Sequence, residues 1–480
     1  MKRFLTLHDP RSARRFYEAG LWRGDTFYTL LRDHAASRPD DMALRDGRIE
    51  LDWRSLKARV DALADDLVER GLIAGDRISI WMSNRVEAVI TFLAASREGL
   101  ACNPSLHRSH TCEEIVDLLS VLGAKALVTE PGWGADRAAR HLDAMLATLP
   151  FLRKVYIPER FPERITCVDR IAHDNPDSIA YLAFTSGTTG RPKCVMHSCN
   201  TLLANARDLV RDWTLSSADV ILSLSPLSHH IAWVAVSQWL VCGGELVTDD
   251  PPAGRHRLDW IVETGATYVM GVPTHAMDIL DEQKRRAMPR IGRVRAFYMA
   301  GSPIPEIVAK AFVDQGITPQ NVYGMTVCWS HQYTHPDDPR DVWISTCGRG
   351  GPAYEVRIWD PEHPDRELPQ GRTGEIGGRG AAVMLGSFAH PRAPEKTFNA
   401  HGYLMSGDLG SFDEKGNLRI EGRAKDLIIR GGHNIYPSRI EALALTHPKV
   451  AKSAAFGVAD ERLGEKVCLA VIGDVGALDD

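Results

Sequence analysis

At 480 residues the chain is too long for one compact core, so two or more units are expected. Its 44% apolar and 25% charged content excludes a disordered or fibrous protein, and a net charge of −5 leaves no general basic footprint for nucleic acid or an anionic membrane. The 9 cysteines lack zinc-ligand spacing and read as reduced thiols in a cytoplasmic compartment. The basic N-terminus has no apolar stretch behind it, as a signal peptide would, and no run approaches the ~20 apolar residues of a membrane span.

In chain order, residues 26–70 carry helical periodicity, with Leu56, Val60, Leu63, Leu67 and Val68 on one face after a start near Asp52. Gly71–Gly75 closes that helix. Strands are expected at Asp76–Met82, Gly99–Pro104 and Ala126–Thr129, and helices at Glu87–Glu98 and 112–122. This alternation predicts a layered α/β domain without internal repeats.

Tyr181–Phe184 then reads as a buried strand running into Thr185-Ser186-Gly187-Thr188-Thr189-Gly190-Arg191-Pro192-Lys193. Gly187 and Gly190 allow backbone turns closed to other residues, and successive N–H groups in such turns cradle anions. Four hydroxyls and the Lys193 ammonium add donors, so the natural guest is a polyphosphate. The spacing is not that of the common Gly-Lys-Ser/Thr phosphate loop. A helix over Asn200–Trp213 is expected close behind, where its dipole would help hold the anion. The apolar run Ile231–Val241, interrupted by Ser237 and Gln238, reads as a buried helix.

Thr-Ser-Gly-Thr-Thr-Gly-x-Pro-Lys resembles the signature loop of the adenylate-forming superfamily: acyl-CoA synthetases, luciferases and peptide-synthetase adenylation domains. Further motifs follow in that family's order. Pro226-Leu-Ser-His229 is similar to its Pro-Leu/Met-aromatic-His segment, with Ser228 in the aromatic's place; the resemblance implies that His229 lines the acyl pocket and is a candidate gate. Gly265–Thr274 resembles a segment walling the pocket. Val294–Pro305, with Gly301, Ser302 and Pro303, resembles the turn whose backbone holds adenine. Asn321-Val322-Tyr323-Gly324-Met325-Thr326 matches Tyr-Gly-x-Thr-Glu, where the Tyr stacks on adenine and the Thr bonds the α-phosphate. Val327 stands where the family has a Glu that helps hold Mg²⁺. Either water or another carboxylate substitutes, or metal binding and adenylation are impaired; Thr185 is the remaining candidate metal ligand.

Cys347–Ile358 and Gly371–Arg379 resemble hairpins of a small β-rich subdomain. Gly402–Gly410 resembles the family's Thr-Gly-Asp-Leu-Gly, which makes Asp408 the acceptor for both ribose hydroxyls. In Gly422–Pro437, Arg423 would contact the nucleotide and Lys425 would be the hinge, with Gly431, Gly432 and His433 on the coenzyme A side. The family continues to a Lys-bearing segment that nothing between Gly464 and Asp480 supplies. The resemblance therefore implies an α/β protein. A large N-terminal domain, 1–423, combines layered α/β subdomains and a β-rich subdomain, and a small α+β C-terminal domain, 424–480, is expected to be cut short.

The implied activity is ATP-dependent ligation of a carboxylic acid to coenzyme A through an acyl-adenylate, with ATP, Mg²⁺ and coenzyme A required. Thr185, Lys193, His229 and Arg423 are the expected catalytic residues. The acyl pocket is expected among His229, His230, Trp233, Gly271, Met299, Gly301 and Trp329. The pattern, including Ser330–His335, is similar to ligases for cyclohexanecarboxylate and related alicyclic or medium-chain acids. Delivery to a carrier-protein thiol and an impaired acyl-adenylate binder are the alternatives; no nucleic-acid partner is expected, and a homodimer stays open.

Overall fold

The computed structural model describes residues 4–136, 142–163, 170–185, 193–302, 304–388, 397–430, 433–447, 449–460 and 462–473. Two mainly parallel sheets dominate it. Across the eight-stranded sheet the order is Trp329–Tyr333, Thr318–Met325, Ala296–Met299, Tyr268–Gly271, Val220–Ser223, Glu245–Thr248, Met42–Arg45 and Glu50–Asp52. Only the two edge strands run antiparallel. Across the seven-stranded sheet the order is Ser387–Phe388, Lys193–Ser198, Ile179–Thr185, Ala101–Asn103, Arg77–Trp81, Ala126–Thr129 and Lys154–Tyr156.

Parallel strands need long crossovers, and helices supply them, so both faces of each sheet are covered. One large core joins the facing sides of the two sheets through helices Val86–Arg97, Cys199–Asp212 and His230–Cys242. A second core lies behind the seven-stranded sheet under Cys112–Leu122. A third lies behind the eight-stranded sheet under Arg257–Glu263, Pro273–Arg285 and Glu306–Val313.

This layering explains why His230–Cys242 is apolar all round: Ile231–Leu240 are buried between two sheets. The interrupting Ser237 donates its hydroxyl to the Trp233 carbonyl (2.7 Å), so its burial leaves no unpaired donor. No described helix is long and apolar enough to cross a membrane.

Several expectations hold closely. Asp52 caps the helix Trp53–Glu69, and Leu56, Val60, Leu63 and Leu67 are fully buried along it. Each contributes about 1.5–3 kcal/mol by leaving water. Cys112–Leu122 starts at a Thr111/Glu114 capping box and stops at Gly123 in the left-handed region.

Two expectations are corrected. Helical spacing does not run through the whole of 26–70: ahead of the helix that Asp52 caps, Phe27–Ser37 is a separate helix and Met42–Arg45/Glu50–Asp52 a hairpin. Pro39 after Arg38 bars helical continuation, and Met42–Arg45 pairs with Glu245–Thr248 instead. The helix after the polar loop does not begin beside it. The strand Lys193–Ser198 intervenes, and Ser198, which caps the helix, pairs with Ile179 at the far end of the hairpin. Six strand residues place that helix end roughly 20 Å from the loop, beyond the reach of an end-of-helix dipole.

Downstream, Tyr354–Trp359, Gly374–Gly380, Leu404–Phe412 and Leu418–Arg423 form the expected antiparallel β-rich unit. A short turn, Ala424–Asp426, leads to a further four-stranded sheet of Ile428–Arg430, His433–Ile435, Val450–Asp460 and Gly464–Gly473, against which Pro437–Ala444 packs.

Candidate active site

Thr185 ends one strand and Lys193 begins the next; they face each other, with the Thr185 hydroxyl 3.4 Å from the Lys193 carbonyl. The strand behind them is buried from Ile179 to Phe184, and Ser105 Oγ accepts from the Phe184 N–H (2.7 Å). Ser186, Gly187, Thr188, Thr189 and Gly190 lie outside the described residues, as does Pro303. Thr185 and Lys193 are the paired strand residues on either side of that stretch, and the Lys193 side chain is exposed.

The Asn321–Thr326 segment ends beside the same hairpin. His197, in the strand begun by Lys193, has Nε2 at 2.8 Å from the Thr326 carbonyl and Nδ1 at 3.1 Å from Thr201 Oγ1. Burial pushes the His197 pKa down to about 4, so the ring is neutral and one nitrogen can donate to the carbonyl. Asn321 receives the Cys347 thiol on its side-chain oxygen and gives its backbone N–H to Thr334 Oγ1. Val322 points into the central core. Gly324 tolerates no side chain: a Cβ there would lie 1.8 Å from the Trp329 carbonyl.

Tyr323 donates its hydroxyl to Asp408 Oδ2 (2.8 Å), and Arg423 Nε stands 3.3 Å from Asp408 Oδ1. This group ties the end of the eight-stranded sheet to the β-rich unit. Burial, the largest influence, holds the Asp408 carboxyl above the usual carboxylate range despite Arg423. Arg423 itself is largely exposed, and Lys425 is exposed on the following turn. His433 pairs through its backbone with Arg430; Gly431 and Gly432 lie outside the described residues.

The residues expected to line the acyl pocket fall into two sets. Trp233 and Trp329 share the central core through Tyr181, with ring centroids 6.2 and 5.9 Å from it. Gly301 has φ +95°, and a Cβ there would touch Val272 and Ile231. Ser302 beside it is exposed. His230 begins the buried helix, with its pKa pushed down to about 4 by burial. Met299, by contrast, faces the third core on the opposite side of the sheet. Gly271 adjoins the same side, its missing Cβ directed at His275 and Leu224. By strand alternation it is Tyr298 and Ala300 that share the central core with Trp233.

Sequence reasoning also missed His107. Its ring lies 4.4 Å from that of His229, and its Nδ1 is 3.1 Å from Ser228 Oγ. Burial and the neighbouring His229 and His110 push the His107 pKa down to about 4. Burial also holds His229 below the ordinary imidazole value. No periodicity in the sequence marks this pairing of distant segments.

Val327 does not suit a metal. Its side chain packs with Val195, Met384, Leu404 and Tyr354, and its carbonyl accepts from the Met384 N–H (2.8 Å). Among the described residues no group of three or more His, Cys, Asp or Glu is arranged to hold a metal ion. The described residues thus supply no carboxylate at the place where the resemblance implies one.

The hairpin, the Thr326 turn and the Tyr323–Asp408–Arg423 group are thus joined in one part of the fold. A family profile described as AMP-binding enzyme matches residues 31–388. The medium-chain fatty-acid–CoA ligase of Escherichia coli (strain K12) is 28% identical over 98% of this chain and 85% of its own. A salicylyl-CoA synthase / salicylate adenylyltransferase from a Streptomyces species is 31% identical over 97% and 87%. ATP-bound MatB from Rhodopseudomonas palustris superposes with a TM-score of 0.83 at 29% identity, over 95% of this chain and 90% of that one. The chain belongs to the AMP-binding family of adenylate-forming acid–thiol ligases, whose acyl-CoA synthetases use ATP and coenzyme A.

Proposed function

We propose that the chain activates an alicyclic or medium-chain carboxylic acid as its acyl-adenylate and passes the acyl group to coenzyme A. A carboxylate resists nucleophiles because its own charge repels them. In the first half-reaction a carboxylate oxygen attacks the α-phosphorus of ATP and pyrophosphate leaves, giving a mixed anhydride. In the second, the thiol sulfur attacks the acyl carbon, loses its proton, and AMP departs. The protein's task is to position two anions and offset their charge.

Lys193 and the hydroxyls from Thr185 to Thr189 take the phosphates in this reading. The Asn321–Thr326 strand and the Gly301–Pro303 turn flank the base. Asp408 takes the ribose hydroxyls once Tyr323 and Arg423 yield to ligand. His229, His230, Trp233, Gly301 and Trp329 bound the acyl group, with Tyr298 and Ala300 in place of Met299. Magnesium enters as the counter-ion of ATP, the substrate, and no step is assigned to a protein-held ion. Residues 1–423 form the nucleotide and acyl unit and 424–480 a mobile unit turning about Lys425, which brings Gly431, Gly432 and His433 to the thiol.

The observation that carries this reading is the meeting of three strands: His197, near the Ser198 end of the strand that Lys193 begins, joins it to Thr326 (2.8 Å), and Tyr323 joins that segment to Asp408, in the middle of Leu404–Phe412 (2.8 Å). The test is an acid panel with AMP release measured with and without coenzyme A, and with a carrier-protein thiol as the rival acceptor. Val327 favours a second reading, an acyl-adenylate binder with impaired adenylation; ATP binding without acid-dependent pyrophosphate exchange would select it.

A further inference from the structure

Trp329 combines two features that cost free energy, and it lies within the acyl wall. Three described non-glycine residues have positive φ: Thr214, Ala287 and Trp329. The first two are exposed, where the chain bends freely; Trp329 is 1% exposed with φ +60°. A bulky side chain in the left-handed region is disfavoured and persists only where its surroundings enforce it. Gly324 is part of that enforcement, since the Trp329 carbonyl occupies the space a Cβ would need.

The second feature is the indole N–H. It is buried and has no acceptor among the described residues; Trp53, Trp133 and Trp359 share that feature, but none of them has a positive φ. Trp233, in the same wall, gives its N–H to the Leu227 carbonyl (2.6 Å). His197, 6.0 Å from Trp329 between ring centroids, has both nitrogens engaged with Thr201 and Thr326. A buried donor left without an acceptor is destabilising. Strain and an orphan donor on one residue, in a wall otherwise built of aromatic rings, together call for a bound partner.

We infer that Trp329 is a specificity-determining residue whose indole N–H donates to an acceptor on the body of the acid: a carbonyl, ether oxygen or ring nitrogen set apart from the reacting carboxylate. This rests on the ligase reading above and narrows it, from ring or medium-chain acids in general to compact acids carrying such an acceptor. A pocket that contains a waiting donor discriminates against the purely hydrocarbon analogue, because that analogue leaves the donor unpaired.

The test compares cyclohexanecarboxylate with tetrahydropyran-2-, -3- and -4-carboxylates, in which one ring CH₂ becomes oxygen. Acid-dependent pyrophosphate release is measured for the unaltered chain and for Trp329→Phe. The expected result is a kcat/KM at least about tenfold higher for one of the oxygen-bearing acids, falling to within about twofold of cyclohexanecarboxylate in Trp329→Phe. Because both acids are measured on one preparation, the ratio is insensitive to the fraction of active protein. If the variant does not fold, the ratio in the unaltered chain decides. A smaller preference in the unaltered chain, or one that survives Trp329→Phe, overturns the inference while leaving the ligase reading intact. Absence of turnover with every acid removes the ligase reading, and this inference falls with it.

Discussion

Lys193 stands exposed at the head of a buried strand, opposite Thr185, and in the proposed reading its charge offsets phosphate. Lys193→Ala is expected to lower kcat/KM for ATP by about a hundredfold in pyrophosphate exchange, the scale of losing one oxyanion donor; unchanged kinetics would refute its role. Asp408 makes a sharper case. Burial raises its folded pKa above the ordinary 3.8, so its ionised form is disfavoured by folding at neutral pH. Asp408→Asn should therefore leave the ligand-free Tm unchanged or higher while weakening AMP binding about tenfold or more. A lowered Tm with AMP affinity retained would mark Asp408 as structural. His197 reports on acid stability. Its pKa falls from 6.5 to about 4 on folding, so its contribution is complete above pH 6.5 and is lost as pH falls toward 4. That difference amounts to about 3 kcal/mol. Urea unfolding between pH 7.5 and 4.5 should show a steep acid limb that His197→Gln flattens; parallel curves for the two proteins would contradict the assignment.

At the scale of elements, Gly324 and Trp329 form one unit, the hairpin between Thr318–Met325 and Trp329–Tyr333. Gly324→Ala puts a methyl carbon against the Trp329 carbonyl, 1.8 Å away before relaxation. It should lower Tm by several degrees or abolish folding, as thermal melts will report; a variant of unaltered Tm would mean that the hairpin is not held in this geometry. The sequence made some elements legible to the residue. Cys112–Leu122 carries its own start and stop, in Thr111, Glu114 and Gly123. Other elements depend on partners distant in the chain. The short strand Met42–Arg45 exists because Glu245–Thr248 lies beside it, two hundred residues later. Helical spacing on either side concealed it. Lys193–Ser198 has polar ends and a charged start, so it did not read as a strand, and the helix behind it was placed too near the loop. Met299 differs for a simpler reason: alternation along Ala296–Ala300 turns it away from the core that holds Trp233 and Trp329.

For the whole molecule, the motifs fixed the order of the site along the chain, and the fold supplied the joins. His197 to Thr326, His107 to His229 and Tyr323 to Asp408 each cross between segments 85 or more residues apart, as the Tyr323 pair does at 85. No local pattern encodes such pairs. The join at Ala424–Asp426 carries the proposal of a moving unit. Around it, Glu421 accepts from Ser438 through its carbonyl and from Arg439 through its carboxylate. Lys425→Pro removes freedom at the exposed middle of the turn. It should slow thioester formation about tenfold or more while sparing pyrophosphate exchange, if rotation separates the half-reactions; equal loss of both would exclude Lys425 as the pivot.

The most direct test of the central claim, that the Thr185–Lys193 hairpin and the Asn321–Thr326 strand together adenylate a carboxylic acid, is isotopic pyrophosphate–ATP exchange across an acid panel without coenzyme A. The account predicts exchange that requires the acid and persists without thiol, with coenzyme A then accelerating AMP release. ATP binding with no acid-dependent exchange for any acid would contradict it.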